Sequence, residues 1–280
     1  MLTSQQLLDG LVIPIDKPRQ WTSFQAVNKV KSAIRRLYDL KKFKIGHAGT
    51  LDPLASGLLL VCVGKATKQI EQLQQGTKTY TGTIVLGATT PSFDLERPID
   101  CYYNTKGLTI DAIKETIRQL TGEIEQVPPM FSAVKVDGVR AYQYARVDAG
   151  DKGHEENIIQ PKRVIVYSFD ITDYRPGRCD FAPPPIADTS HLPKTQLYKA
   201  PAGELPEGLP QIDFSIRCGK GTYIRSLARD LGVRLGTGGL LSALRRESIG
   251  DYHVDTACKI DQIDEYLCRL TAPQSNDIRE

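Results

Sequence analysis

The sequence is short of the residues that metal and redox chemistry need. Its 280 residues include only four histidines and six cysteines, the latter at positions 62, 101, 179, 218, 258 and 268. No two cysteines form a CxxC pair, so zinc-ligand spacing is absent. The thiols read as reduced side chains in a reducing compartment. Long apolar runs are missing too. The longest, Leu58 to Val63, is strand-sized, far below the about 18 residues that a membrane helix needs. The opening MLTSQQLLDG lacks the basic start and apolar stretch of a signal peptide. The expectation is a cytoplasmic protein with no membrane segment, no metal and no cofactor.

Charge of one sign is also scarce, since the net charge is only +3. Its distribution says more. Lys29, Lys31, Arg35, Arg36, Lys41, Lys42 and Lys44 fall in one stretch against a single acid, Asp39. Such a cluster is either a solvated helix face or a stripe that meets phosphates.

What is present reads as a mixed chain. LVIPID (11–16) is a short buried strand, and Trp21 to Leu37 a helix with Thr22 or Ser23 as N-cap. Its apolar stripe is Phe24, Val27, Val30, Ile34 and Leu37. A glycine-punctuated loop, GHAGTLDPLASG (46–57), precedes the strand Leu58 to Val63, and Lys65 to Gln75 is helical. Strands are expected at Tyr80 to Leu86, Phe131 to Val136, Arg163 to Phe169 and Ile212 to Cys218. Helices are expected at Ile110 to Leu120, Ala141 to Ala145, after Thr222, at Leu240 to Glu247 and near Ile260 to Leu270. Asp137-Gly138 is a hairpin-type turn signal that here is expected to lead into the helix Ala141 to Ala145. Eight of the 17 prolines fall within 176–210, which marks an irregular insertion. The irregular mixture of strands and helices argues for the α+β class.

Three constellations could carry chemistry. In the 46–57 loop, Pro53 biases Asp52 toward extended backbone at the edge of a buried strand, which suits either a turn cap or a presented carboxylate. His47 lies five residues earlier on the same loop. In RCGKGTYIRSLARDLG (217–232), a strand-to-helix turn sets Lys220 beside free backbone N–H groups, a general anion site. No GxxxxGK[ST] run accompanies it. Arg225 falls off that helix's apolar stripe and faces either a cleft or the solvent. The third is Lys78-Thr79-Tyr80, where the tyrosine at a strand edge either packs or stacks on a base.

Taken together and in order, these stretches resemble the bacterial-type TruB family, the tRNA pseudouridine-55 synthases. GHAGTLDPLASGLLLVCVGKATK is similar to the family's signature. LVIPIDKPRQWTS (11–23), KTYTGTIVLGATTPSFD (78–94), PPMFSAVKVDGVRAYQYAR (128–146), RCGKGTYIRSLARDLG and LRRESIG (244–250) match further family stretches. The resemblance implies a pseudouridine synthase fold with a mixed, mainly antiparallel central sheet flanked by helices and loops. It implies residues 1–250 as the catalytic domain and 251–280 as a short extension, too short for an extra RNA-binding domain. It makes Asp52 the nucleophile and His47 the residue that packs where the target base leaves its stack. Tyr80 would stack on the flipped uracil, Tyr223 and Leu244 would line the base pocket, and Arg225 would ion-pair with the nucleophile. The implied partner is the T-arm of tRNA, with no obligate protein partner and no cofactor.

A carboxylate, an aromatic and a basic stripe suit that reaction. A base inside a folded loop must leave its stack at a cost of a few kcal/mol, and an aromatic platform can return about 1–3 kcal/mol. Two rivals stay open: an RNA-binding or RNA-folding module without catalysis, and a guide-RNA-dependent relative. The Asp52, Tyr80 and Arg225 set argues against the first. The DPLASG form and the lack of long basic tails argue against the second. The 176–210 insertion reads as a tolerated loop. A chain lacking 180–208 is therefore expected to keep its tRNA affinity, measured by filter binding, and its reaction rate.

Overall fold

Thr22 caps the longest helix, Ser23–Tyr38, and a reciprocal bond with Gln25 completes a capping box. Apolar positions at helical spacing then bury one face, with Ala26, Val27, Val30, Ala33 and Ile34 all in the core. That helix belongs to the first of two units into which a computed structural model divides the chain: Met1–Thr79 with Arg245–Glu280, and Tyr80–Leu244. The structure describes residues 2–130, 135–136, 139–140, 159–178 and 205–270. The expected helix Ala141 to Ala145, the 131–134 part of an expected strand and most of the 176–210 insertion lie outside these residues. The fold is α+β, as expected.

In the first unit, strand β1 (Leu11–Lys17) pairs antiparallel with β3 (Ser56–Val63) along its whole length, from Leu11 opposite Val63 to Lys17 opposite Gly57. The short β2 (Ile45–His47) also pairs antiparallel with β3. Arg245 and Arg246, in a strand that runs from Gly239 to Ile249, lie parallel to Ser56 and Gly57. Cys258–Lys259 adds a parallel strand on β1. Alternation along β1 and β3 sends Ile13, Ile15, Leu59, Val61 and Val63 into one core with the Ser23–Tyr38 helix. Ile260, Ile263 and Leu267, from the stretch read as an extension, are buried in the same core.

In the second unit, Lys78–Leu86, Gln211–Cys218, Lys162–Arg175 and Gly122–Gln126 follow one another across a sheet. The last three pair antiparallel. Helices Ile110–Gln119 and Ile224–Leu235 contribute Ile113, Ile117, Leu227, Ala228 and Leu231 to its core. Lys135 and Val136 pair antiparallel with Arg140 and Val139.

Three local expectations change. The stretch Leu240 to Glu247 is strand, not helix. LLSALRRE has good helix formers, but their propensity amounts to tenths of a kcal/mol per residue, and ladder bonds with burial of Leu240 and Leu241 override it. Phe24 leaves the apolar stripe and is 70% exposed, because the core-facing first turn is occupied by Ala26 and Val27. The N-cap of the Ile224 helix is Tyr223, not Thr222, whose hydroxyl turns back to donate to the Gly219 carbonyl. Lys65 to Gln75 is helical, starting as a 3-10 turn over Gly64–Gln69 before Ile70–Gln75.

Gly57 is where the first unit allows no side chain. Its φ is +100°, and an added Cβ would stand 2.3 Å from the Arg246 carbonyl oxygen and 2.7 Å from the Arg246 nitrogen. Gly57→Ala is expected to cost about 3 kcal/mol, read as a lowered urea midpoint at unchanged slope.

Candidate active site

Asp52 lies half-buried in the turn between Ala48 and β3. Its backbone carbonyl accepts from Ala55 N at 3.1 Å, closing the turn over Pro53 and Leu54. The residues on either side are fixed from the first unit's own elements. Ser23, the first residue of its helix, donates from Oγ to the Leu51 carbonyl at 3.1 Å and accepts from Leu51 N at 2.9 Å. The Gln20 amide, in a left-handed residue with φ 67°, donates to the Pro53 carbonyl at 2.7 Å.

Two buried cations complete the frame. Lys17, at the end of β1, has no exposed surface, and its ammonium donates to the carbonyls of Pro18 at 3.0 Å, Trp21 at 2.6 Å and Ala55 at 2.6 Å. Those three acceptors match its three protons. Burial pushes its pKa down to about 8, the Asp52 carboxylate opposes that shift, and the Arg246 guanidinium adds to it. It therefore stays charged at neutral pH. Arg246, 2% exposed, donates from Nε to the Leu58 carbonyl at 2.8 Å and from its two Nη atoms to Gly49 at 3.1 Å and Thr50 at 3.4 Å. Arg245 beside it forms a two-pronged pair with Asp16, at 3.0 and 2.9 Å. His47, at the end of β2, is half-buried. Burial lowers its pKa, so the imidazole is neutral at pH 7, although a backbone hydrogen bond with Gly49 works the other way.

The other sequence-predicted residues lie in the second unit. Tyr80 and Leu244 are partly buried against its core. Tyr223 is held through its backbone: its N–H donates to Gln126 Oε1 at 2.8 Å, and Gln126 Nε2 donates to its carbonyl at 3.1 Å. Lys220 is exposed in the turn before the helix. Arg225 is 3% exposed, which removes the reading of it as a surface arginine. Its Nη1 donates to the Ser92 carbonyl at 3.0 Å, and its Nε lies 3.8 Å from Asp94 Oδ2. Asp94 is buried, and its carbonyl accepts from Thr90 Oγ1 at 2.6 Å and Ser92 Oγ at 3.1 Å. Between them Phe93 adopts φ 59°, with the Arg229 guanidinium 5.0 Å from its ring centre.

The sequence matches the TruB family pseudouridylate synthase (N terminal domain) over residues 35–183. The chain belongs to the TruB family. It is 45% identical over 267 residues to tRNA pseudouridine synthase B of Flavobacterium johnsoniae, covering 95% of this chain and 100% of that one. With the synthase B of Phocaeicola vulgatus it shares 41% over 259 residues, covering 92% and 94%. A chain of a crystallised Cbf5–Nop10–Gar1 complex superposes with a TM-score of 0.58 at 25% identity, over 94% of this chain and 56% of that one. The TruB-family chain thus spans little more than half the length of that solved structure.

Sequence reading singled out Asp52 and His47 in the first unit of this TruB-family chain, and Tyr80, Tyr223, Arg225, Leu244 and Lys220 in the second. It missed Lys17, Ser23 and Arg246 as loop supports and Asp94 as a partner of Arg225. Each lies inside a quoted motif, in IDKP, TS, LRR and SFD. Among the described residues no group of three or more His, Cys, Asp or Glu is placed to hold a metal ion, and no helix is long and apolar enough to cross a membrane.

Lys17 has a testable signature. Its folded pKa of about 8 lies below its ordinary 10.5, so between these values the unfolded chain binds the extra proton and stability rises with pH. Relative to Lys17→Met, the wild-type protein is expected to gain at most about 3 kcal/mol between pH 8 and 10.5, measured by urea unfolding at stepped pH.

Proposed function

We propose that this chain is a tRNA pseudouridine synthase that isomerises uridine-55 in the T-loop of tRNA, with Asp52 as its nucleophile. The observation that carries the reading is the turn around Asp52. A carboxylate whose flanking backbone, at Leu51, Pro53 and Ala55, is held by Ser23, Gln20 and Lys17 is presented by a rigid frame, which is what an attacking group needs. The full-length likeness to bacterial tRNA pseudouridine synthases B supplies the substrate.

The reaction breaks the C1′–N1 glycosidic bond and forms a C1′–C5 bond. The C5 proton leaves to solvent and N1 gains one, so atoms and electrons balance without an oxidant. The base must leave its stack to be reached. By their motifs Tyr80 stacks on the uracil, Tyr223 and Leu244 line the base pocket, Arg225 ion-pairs with the nucleophile at the substrate site, and His47 packs against the RNA where the base departs, while Lys220 in its strand-to-helix turn binds substrate as an anion site. The neutral state of His47 suits packing against bases and sugar better than a phosphate contact. Lys29, Arg35, Arg36, Lys41, Lys42 and Lys44 are exposed, as backbone-contacting side chains must be. Arg36 is engaged with Asp264 and Arg35 with the Lys41 carbonyl, so those two begin partly occupied.

The test is tritium release from C5-labelled uridine in a T-arm stem-loop and in whole tRNA. Wild-type protein is expected to release it, and Asp52→Asn to release none while binding tRNA within about threefold of wild type, since the substitution removes only the nucleophile's charge. Turnover by Asp52→Asn would contradict the nucleophile. Wild-type protein that binds tRNA without releasing tritium would favour a binding module.

A further inference from the structure

The guanidinium of Arg246 is used entirely on backbone carbonyls, and those carbonyls are not scattered. Gly49 and Thr50 precede Asp52 by three and two residues, and Leu58 follows it by six. One planar group therefore ties together the two ends of the segment that carries the nucleophile. Arg246 itself is anchored twice over. Its backbone lies opposite Gly57 in a parallel pair, and no Cβ fits between them. Its neighbour Arg245 is clasped by Asp16 from β1.

Burying an arginine 98% deep costs several kcal/mol unless its protons find acceptors. A fold that needed only to fill this space would use an apolar side chain of similar volume. A charged fork that spends its donors on three main-chain carbonyls fixes their directions instead. It also places a positive charge near Lys17 and His47, whose protonation it disfavours.

We propose that Arg246 is a positioning residue for Asp52: its guanidinium sets the spacing of the two ends of the 49–58 segment and so aims the carboxylate, without touching substrate. This rests on the reading of Asp52 as nucleophile. Lysine cannot replace it, because a single ammonium on a flexible stem cannot reach Nε-side and Nη-side acceptors at once.

The experiment uses the full-length protein with whole tRNA under single-turnover conditions, enzyme in excess, with tRNA affinity by filter binding and stability by thermal melting measured on the same samples. Arg246→Lys is expected to lower the rate of pseudouridine formation about 100-fold, the cost of an ångström-scale misplacement of a reacting group. Its tRNA affinity is expected to stay within about twofold, a split between chemistry and binding that a general support of the fold would not produce. Wild-type rate in folded Arg246→Lys overturns the proposal. So does a parallel loss of rate and tRNA affinity. If Arg246→Lys does not melt cooperatively, Arg246→Gln takes its place with the same readouts, and if neither folds the residue supports the fold at large and the positioning role is overturned. Asp52→Asn, run alongside, separates the two readings: an active Asp52→Asn removes the nucleophile assignment, whereas an inactive Asp52→Asn beside a fully active Arg246→Lys removes only the role of Arg246.

Discussion

Hydrogen bonds from buried cations to main-chain carbonyls hold the turn that carries Asp52. Lys17 and Arg246 together engage six carbonyl oxygens, of Pro18, Trp21, Ala55, Leu58, Gly49 and Thr50. A loop that turns this sharply next to a core strand leaves carbonyls that no ladder or helix can satisfy, and each would be costly if buried alone. The cations solve that problem, and the carbonyls in turn offset most of the cost of taking two charges out of water. The residual cost shows in the lowered pKa of Lys17, which the Asp52 carboxylate opposes. Rigidity and a local positive field come from the same bonds. A carboxylate that is to attack carbon needs a fixed direction.

The second unit solves a comparable problem with different means. Its Ile224–Leu235 helix begins at Tyr223, where Gln126 supplies the cap that the local sequence lacks. Two residues on, Arg225 meets a loop whose shape depends on left-handed Phe93, with Asp94 fixed by the hydroxyls of Thr90 and Ser92. A left-handed non-glycine residue costs about 1 kcal/mol or more and persists only where its surroundings hold it. Here Arg229 covers its ring, and Leu241 N donates to its carbonyl at 3.0 Å.

Much of this was legible from the residues. The Thr22 cap, the Ser23–Tyr38 helix, and the strands at 11–17, 78–86 and 211–218 follow from capping and periodicity, which act over a few neighbours. The motif order pointed to Asp52 and to the family. What was not legible depended on distant partners. Leu240 to Glu247 carries a helical composition and becomes strand because its neighbours supply ladders. Phe24 keeps helical spacing with the core residues yet points to solvent. Arg225 looks like a surface residue until Ser92 and Asp94, more than a hundred residues away in sequence, close over it. Lys17 and Arg246 read as ordinary charges, because nothing in a sequence marks which carbonyls a loop will leave open.

Uridine isomerisation by Asp52 has one required outcome in the cell. Pseudouridine at position 55 of tRNA, mapped in cells with and without the gene, is expected to be present only when the gene is. It should return with the wild-type chain but not with Asp52→Asn. Undiminished pseudouridine-55 in the deleted strain, or its return with Asp52→Asn, would contradict the assignment of this chemistry to Asp52.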